Sequence, residues 1–323
     1  MGLIGEMKER VLQGEEIGAG EALALCGEPL EELARAADEI RKIRCGDGFD
    51  ICAIVNGKSG RCSEDCRYCA QSAYYHTGTE EYPLLETEEI VRQAVSHAEK
   101  GVLRYSIVTS GRALSDREVA RMCEAIREIR RQAHIEVCVS FGLLSEKQFA
   151  AVREAGASRA HNNLETSKRN FPNICTTHSF DDKVAAIRAA QSAGLTVCSG
   201  GIMGLGETWE DRIDMALSLR ELGIRSVPVN MLNPIPGTPY EGNRRLDMED
   251  MRRISALYRF LLPEASIRLA GGRGLLRDKG EGCFRSGANA VISGDMLTTS
   301  GYTVESDLAM IHRLGYREAL CNG

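Results

Sequence analysis

Aromatic residues are scarce in this chain, at 5% of its 323 residues, and Trp209 is its single tryptophan. Without a ladder of aromatic side chains there is no platform for stacking successive bases. Runs of Lys or Arg are also missing, and the formal charge of −6 is mild, so no nucleic-acid partner is expected. No stretch of about 18 uninterrupted apolar residues occurs, which argues against a membrane span. The opening Met1-Gly-Leu-Ile-Gly-Glu6 has no long apolar segment and does not read as a secretion signal. Gly2 invites a myristoylation check, but Glu6 stands where that motif needs Ser or Thr. The expectation is a cytoplasmic protein that meets neither nucleic acid nor membrane.

What the chain has in quantity is cysteine. Twelve is many for a cytosolic chain, where disulfides are disfavoured, so several should be ligands or buried thiols. Cys26, Cys123 and Cys321 read as ordinary small apolar side chains. Cys62, Cys66 and Cys69 do not, because they stand in Lys58-Ser-Gly-Arg-Cys-Ser-Glu-Asp-Cys-Arg-Tyr-Cys, a C-x3-C-x2-C spacing just after an apolar strand-like run. Cubane iron–sulfur clusters usually take four thiolates. A compact trio leaves one iron without a protein ligand, open to a substrate or cofactor. The alternatives are a zinc site, with His76 as the nearest fourth ligand, or an unligated surface loop.

Hydrophobic residues make up 43% of the chain, enough for a sizeable core, and the length suits either two average domains or one α/β barrel with extensions. After a charged helical lead-in (Glu31 to Lys42), short apolar runs alternate with amphipathic stretches. The candidate strands are Phe49–Asn56, Leu103–Thr109, His134–Ser140, Ser158–Leu164, Leu195–Gly200, Ser226–Asn230, Ser266–Ala270 and Ala288–Ser293. Helices are expected near Thr87–Lys100, Ser115–Arg131, Ser145–Ala155, Phe180–Ala193, Thr208–Leu222, Met248–Leu262 and, less clearly, Leu275–Gly282. Thr87, Ser115, Ser145 and Thr208 suit helix starts, and Gly101, Gly156, Gly194 and Gly223 suit helix ends. Eight strands alternating with helices predict an α/β fold, a closed (β/α)8 TIM-type barrel over residues 47–323, with residues 1–46 as a short N-terminal helical extension. An open doubly wound sheet is the alternative, but its Gly-rich phosphate fingerprint is missing after the first strand.

Strand parity then sorts the side chains. In His134-Ile-Glu-Val-Cys-Val-Ser, the apolar Ile135, Val137 and Val139 suit the helix-facing side, so Glu136, Cys138 and Ser140 point inward. The same test turns Cys52, Ser106, Cys198 and Arg268 inward. Cys52, Cys138, Cys198 and Arg268 fall on strands 1, 3, 5 and 7, and layers in such barrels come from alternate strands. Three thiols meeting inside a barrel are either a second metal–sulfur site or three ordinary core cysteines.

The chain resembles the biotin synthase family of radical S-adenosylmethionine (SAM) enzymes from about residue 40 onward. The resemblance rests on the cysteine loop, on Asn162-Asn-Leu-Glu-Thr-Ser and on Val197-Cys-Ser-Gly-Gly-Ile-Met-Gly-Leu-Gly-Glu-Thr. Val227-Pro-Val-Asn-Met-Leu, Ile267-Arg-Leu and Gly287-Ala-Asn add to it. It implies that Cys62, Cys66 and Cys69 bind a [4Fe–4S] cluster whose open iron is chelated by SAM. By the same resemblance Tyr68, Asn163, Glu165, Lys183 and Ile202 contact SAM. Lys58, Asn230, Thr298 and Thr299 are implied as contacts to the substrate, dethiobiotin. The family inserts sulfur between two unactivated carbons, so its sulfur would come from an auxiliary iron–sulfur cluster inside the barrel. Implied partners are a flavodoxin- or ferredoxin-type electron donor and iron–sulfur assembly proteins, with a homodimer as the implied assembly. Other barrel-type radical SAM enzymes, such as hydrogenase-maturation or methylornithine-synthase relatives, share the first motif, whereas a non-enzymatic iron–sulfur sensor would need no ribose or ureide contacts.

The chain departs from the family pattern at the auxiliary site. Cys138, Cys198 and Arg268 match its ligands, but Ser106 stands where the strand-2 cysteine belongs. A neutral hydroxyl is a poor substitute for thiolate. The expectation is that Cys52 replaces it and that the cluster is of the four-iron type, with [2Fe–2S] as the alternative. Lys183 replaces an arginine and loses bidentate geometry. Glu165 replaces the commoner Asp, and His161 replaces an Asn, with either a catalytic role or a hydrogen-bonded interior position. The glycines from Gly200 to Gly206 read as a tight turn that lets backbone approach SAM.

Overall fold

The computed structural model describes residues 2–297, 299 and 301–321. Ten strands form one all-parallel sheet: β1 (Gly48–Lys58), β2 (Arg104–Thr109), β3 (Glu136–Ser140), β4 (Arg159–His161), β5 (Thr196–Cys198), β6 (Gly201–Met203), β7 (Ser226–Met231), β8 (Ser266–Leu269), β9 (Ala290–Ile292) and β10 (Arg317–Glu318). The sheet closes because β1 pairs on one side with β2 and on the other with β9, where Ile51 sits opposite Val291. β5 and β6 both pair with β7 and form one interrupted stave, so the chain is an eight-staved (β/α)8 barrel. The short β10 adds to the start of β1, outside the barrel wall.

All eight candidate strands are present, and two short strands, β6 and β10, lie outside the expected set. A Cβ at Gly200 would lie 1.9 Å from the Pro228 carbonyl oxygen, and one at Gly201 would lie 2.4 Å from the Glu165 carbonyl oxygen. These two glycines therefore serve a close approach of backbone to backbone.

The helices follow the expected periodicity. Asp116–Gln132 buries Val119, Met122, Ile126 and Ile129 on one stripe, each contributing about 1.5–3 kcal/mol when fully covered. Ser115, Ser145 and Thr208 cap their helices with side-chain bonds, and Ser179 does the same for Phe180–Ser192. Thr87 does not: it is the first helical residue, and the cap position is Glu86, which makes no side-chain cap bond. The expected helix at Leu275–Gly282 is also absent. A 3-10 turn (Arg273–Leu275) and a short helix (Glu281–Phe284) replace it, because Gly272, Lys279 and Gly280 take positive φ of 80°, 59° and 86° and break any continuous helix.

Three helices precede β1, namely Leu3–Leu12, Ala19–Leu25 and Leu30–Cys45. They lie on the barrel's outer helices. Arg252 makes a two-pronged contact with Glu31, at 2.7 and 2.8 Å, and Arg253 donates to the carbonyls of Cys26 and Glu28. No helix among the described residues is long and apolar enough to cross a membrane.

Candidate active site

A cavity of about 400 Å³ runs down the barrel axis. The cysteine loop that follows β1 closes over its wide end, where the strands' C-terminal ends carry the loops. At its narrow end, Cys52, Ser106, Cys138, Cys198 and Arg268 all reach the cavity wall, as parity required. All five are buried. Ser106 sits opposite Cys138 in the β2–β3 register.

The floor beneath these thiols is cationic. Arg268 meets Asp50 at 3.0 Å and donates to the carbonyls of Asp50 and Val291. Arg104 and Arg159 are buried beside them and line the same cavity. Nε and Nη2 of Arg104 have no hydrogen-bond partner among the described residues. Asp50 is the one carboxylate that all three guanidiniums act on, with Glu136 also near Arg104, so the cup stays positive and suits thiolates and an anionic cluster. Burial pushes the Cys52 thiol up to about 12, and burial together with neighbouring Cys198 raises Cys138. Cys198 behaves differently. Burial raises it, but the hydrogen bond with His161 and the charges of Arg268 and Arg159 bring it down to about 6. Ser226 also donates to its sulfur at 3.3 Å. Three converging thiols, one of them primed as thiolate, fit an iron–sulfur ligand set.

At the wide end, backbone bonds fold the cysteine loop on itself: Cys62 N–H to Gln71 O, Ala73 N–H to Cys62 O and Cys69 N–H to Cys66 O. Cys62, Tyr68 and Cys69 line the cavity. Cys66 turns its sulfur to within 3.8 Å of Cys175 Sγ. A trio of thiols on one short loop, with no fourth thiol on the adjacent cavity wall, fits a cubane that keeps one iron open. Burial and nearby Glu165 hold the Tyr68 hydroxyl well above the ordinary tyrosine range.

Asn163, Glu165, Ile202, Asn230 and Thr299 line the same cavity. Glu165 takes φ +71°, a conformation that costs a non-glycine residue about 1–3 kcal/mol. It is held there by backbone bonds to Gly200 and Ile202. The Asn163 amide accepts from Gly200 N–H at 3.0 Å and donates to Glu165 at 3.3 Å. Asn230 is fixed at both amide atoms, donating to Gly201 O and accepting from Gly271 N–H. Lys58 and Lys183 are not among the cavity-lining residues: Lys58 pairs with Glu118 at 2.7 Å, and Lys183 donates to Asn162 at 3.1 Å. Thr298 lies outside the described residues.

Sequence reasoning passed over Arg104 and Arg159, although each sits two residues before an inward position, Ser106 and His161, and shares its parity. It also passed over Cys175 and His178, whose C-x2-H spacing was the available signal.

Comparison with known proteins agrees with this geometry. Residues 58–219 match the radical SAM superfamily, and residues 228–317 match the biotin and thiamin synthesis associated domain. Among solved structures, methylornithine synthase superposes with a TM-score of 0.85 at 20% identity, covering 97% of each chain. The FeFe-hydrogenase maturase HydG from Carboxydothermus hydrogenoformans superposes with 0.83 at 17% identity, covering 99% of this chain and 80% of that one. These likenesses establish the barrel fold, and the match over residues 58–219 makes the chain a radical SAM protein. Biotin synthase of Brachyspira hyodysenteriae is 55% identical over 97% of this chain and 94% of its own. Biotin synthase of Akkermansia muciniphila is 54% identical, covering 98% of both. The chain belongs to the biotin synthase family.

Proposed function

We infer that the chain converts dethiobiotin to biotin, with Cys62, Cys66 and Cys69 holding a [4Fe–4S] cluster and SAM beside it. The observation that carries this reading is the single cavity with a thiol set at each end, in a chain about 55% identical to proteins named biotin synthase. When bound, these groups supply a radical able to take hydrogen from an unactivated C–H bond, and sulfur to replace it.

The chain's own residues bind, orient and exclude water. The proposed SAM contacts are Tyr68, Asn163, Glu165, Lys183 and Ile202. Of these, the Glu165 carboxylate is set by its constrained backbone and reached by the Asn163 amide, which would present two acceptors to a ribose. Asn230 is proposed to face the ureido ring, and Lys58, Thr298 and Thr299 the remainder of dethiobiotin. At the narrow end, Cys52, Cys138, Cys198 and Arg268 are proposed to hold the auxiliary cluster, with Cys52 standing in for the cysteine that Ser106 replaces. Three thiolates on the positive cup favour a four-iron cluster with one non-protein position over [2Fe–2S]. A cytoplasmic homodimer, a flavodoxin- or ferredoxin-type reductant and iron–sulfur assembly proteins complete the proposal.

An anaerobic single turnover with reconstituted protein, SAM, strong reductant and dethiobiotin, read by mass spectrometry, tests it. Biotin formed together with 5′-deoxyadenosine is the expected result. Deoxyadenosine without biotin refutes the assignment of substrate or sulfur source.

A further inference from the structure

Behind the cysteine loop, away from the cavity, lies a second cluster of metal-binding side chains. Cys66 Sγ, Cys175 Sγ and a ring nitrogen of His178 all lie within 4.8 Å of one another. Cys175 is 3% exposed and the His178 side chain 6%, so both nine-tenths-buried groups point at Cys66. The two sulfurs are 3.8 Å apart. That is the edge of a tetrahedron whose metal–sulfur bonds are about 2.3 Å, the length zinc makes with thiolates. His178 Nε2 lies 3.9 Å from Cys175 Sγ, close to the corresponding sulfur–nitrogen edge.

The surroundings orient these groups as ligands. His178 Nδ1 meets Glu64 Oε2 at 2.5 Å, and in the neutral ring that donates there Nε2 has a lone pair for a metal. A carboxylate behind a histidine is the usual support of a metal-bound imidazole. Thr177 Oγ1 donates to the same Glu64 oxygen at 2.9 Å, and Arg112 approaches it at 3.3 Å. The Phe171 ring packs against the imidazole edge-to-face, at 5.6 Å between centroids. Asp65 Oδ1, held by the Thr176 N–H, accepts from the Cys175 thiol at 3.2 Å. A nucleophile–base relay fits less well, because Glu64 and the Cys175 sulfur both contact the same nitrogen, Nδ1.

We propose that Cys66, Cys175 and His178 form a binding site for one thiophilic divalent cation of the zinc type. It goes beyond the proposed reaction, sharing only Cys66 with the cluster trio. One thiol cannot serve both sites, so the cation and the cluster exclude each other. The chain holds such a cation while the trio is empty and gives it up as the cluster is built.

The test is a titration of the full-length apo chain with cobalt under reducing, anaerobic conditions. The expected result is one tetrahedral cobalt per chain with thiolate charge-transfer bands, displaced by zinc but not by magnesium. A Cys62→Ser/Cys69→Ser double variant keeps this spectrum. Cys175→Ser and His178→Ala lose it, and Glu64→Gln weakens binding about ten-fold. Unchanged affinity in Cys175→Ser and His178→Ala, or displacement by magnesium, overturns the proposal. X-ray absorption on the cobalt-loaded wild-type chain covers the case of misfolded variants. Two sulfurs with an imidazole support the site, and three sulfurs without imidazole overturn it. Zinc-loaded wild type should also resist cluster reconstitution where Cys175→Ser does not; equal reconstitution of the two counts against the exclusion.

Discussion

Glu118 shows what a single side chain does at the edge of the site. Burial raises its carboxyl, but donation from Lys58 and from the Ser115 cap outweighs burial and leaves it at about 2. An unfolded glutamate titrates near about 4.3, so between those values the unfolded chain binds more protons. The stabilisation is therefore complete above the unfolded value and disappears as pH falls through about 2. Thermal melts of Glu118→Gln should lie below wild type at neutral pH and converge with it in strong acid; a gap that persists at the acid end rules out this origin. Cys52 makes a different prediction. In a background lacking Cys62, Cys66 and Cys69, Cys52→Ala should lower the iron bound per chain, and an iron count that stays near two with or without Cys52 contradicts its role as a ligand.

At the scale of the element, the interrupted fifth stave is the sensitive one. A methyl group at Gly201 meets both the Glu165 carbonyl oxygen and Met215 Sδ at 2.4 Å. Gly201→Ala should cost about 1–3 kcal/mol, read as a lower denaturant midpoint, and should shift SAM affinity because it pushes on Glu165. Full retention of both would show that the stave yields. The periodic elements were legible in the sequence because a helix stripe or a strand's alternation repeats over many residues. Inward positions such as Cys52, Cys138 and Cys198 were legible for the same reason. What escaped was set by contacts distant in sequence. The sequence offers no sign that Gly200 stands against the Pro228 carbonyl. The Leu275–Gly282 segment has helical composition but is broken by backbone at Lys279 and Gly280. Cys175 meets Cys66 only because the loop after β4 folds back beneath the cysteine loop.

For the whole molecule, the Asp50 layer joins closure of the barrel to the chemistry inside it. Asp50 is fully buried, and Arg268, Arg104 and Arg159 together draw its carboxyl down against the cost of burial. Asp50→Asn removes the carboxylate that all three guanidiniums share and should cost about 3–5 kcal/mol, measured by denaturant unfolding. An unchanged midpoint would show that other acceptors already satisfy the arginines.

That same layer decides how material moves through the protein. Below the thiols, Asp50, Arg104, Arg159 and Arg268 are all buried. The tail after β10 lies against them, with Cys321 N–H directed at Asp50 and the Cys321 carbonyl accepting from Arg159. The barrel is a blind alley. Among the described residues the cavity's other end lies at the cysteine loop, so under the proposed reaction that is the side from which substrate, and whatever would restore the deepest thiol site, comes in. On the proposed reaction, product and any material for repair would share that end of the barrel, and traffic through it would run in single file.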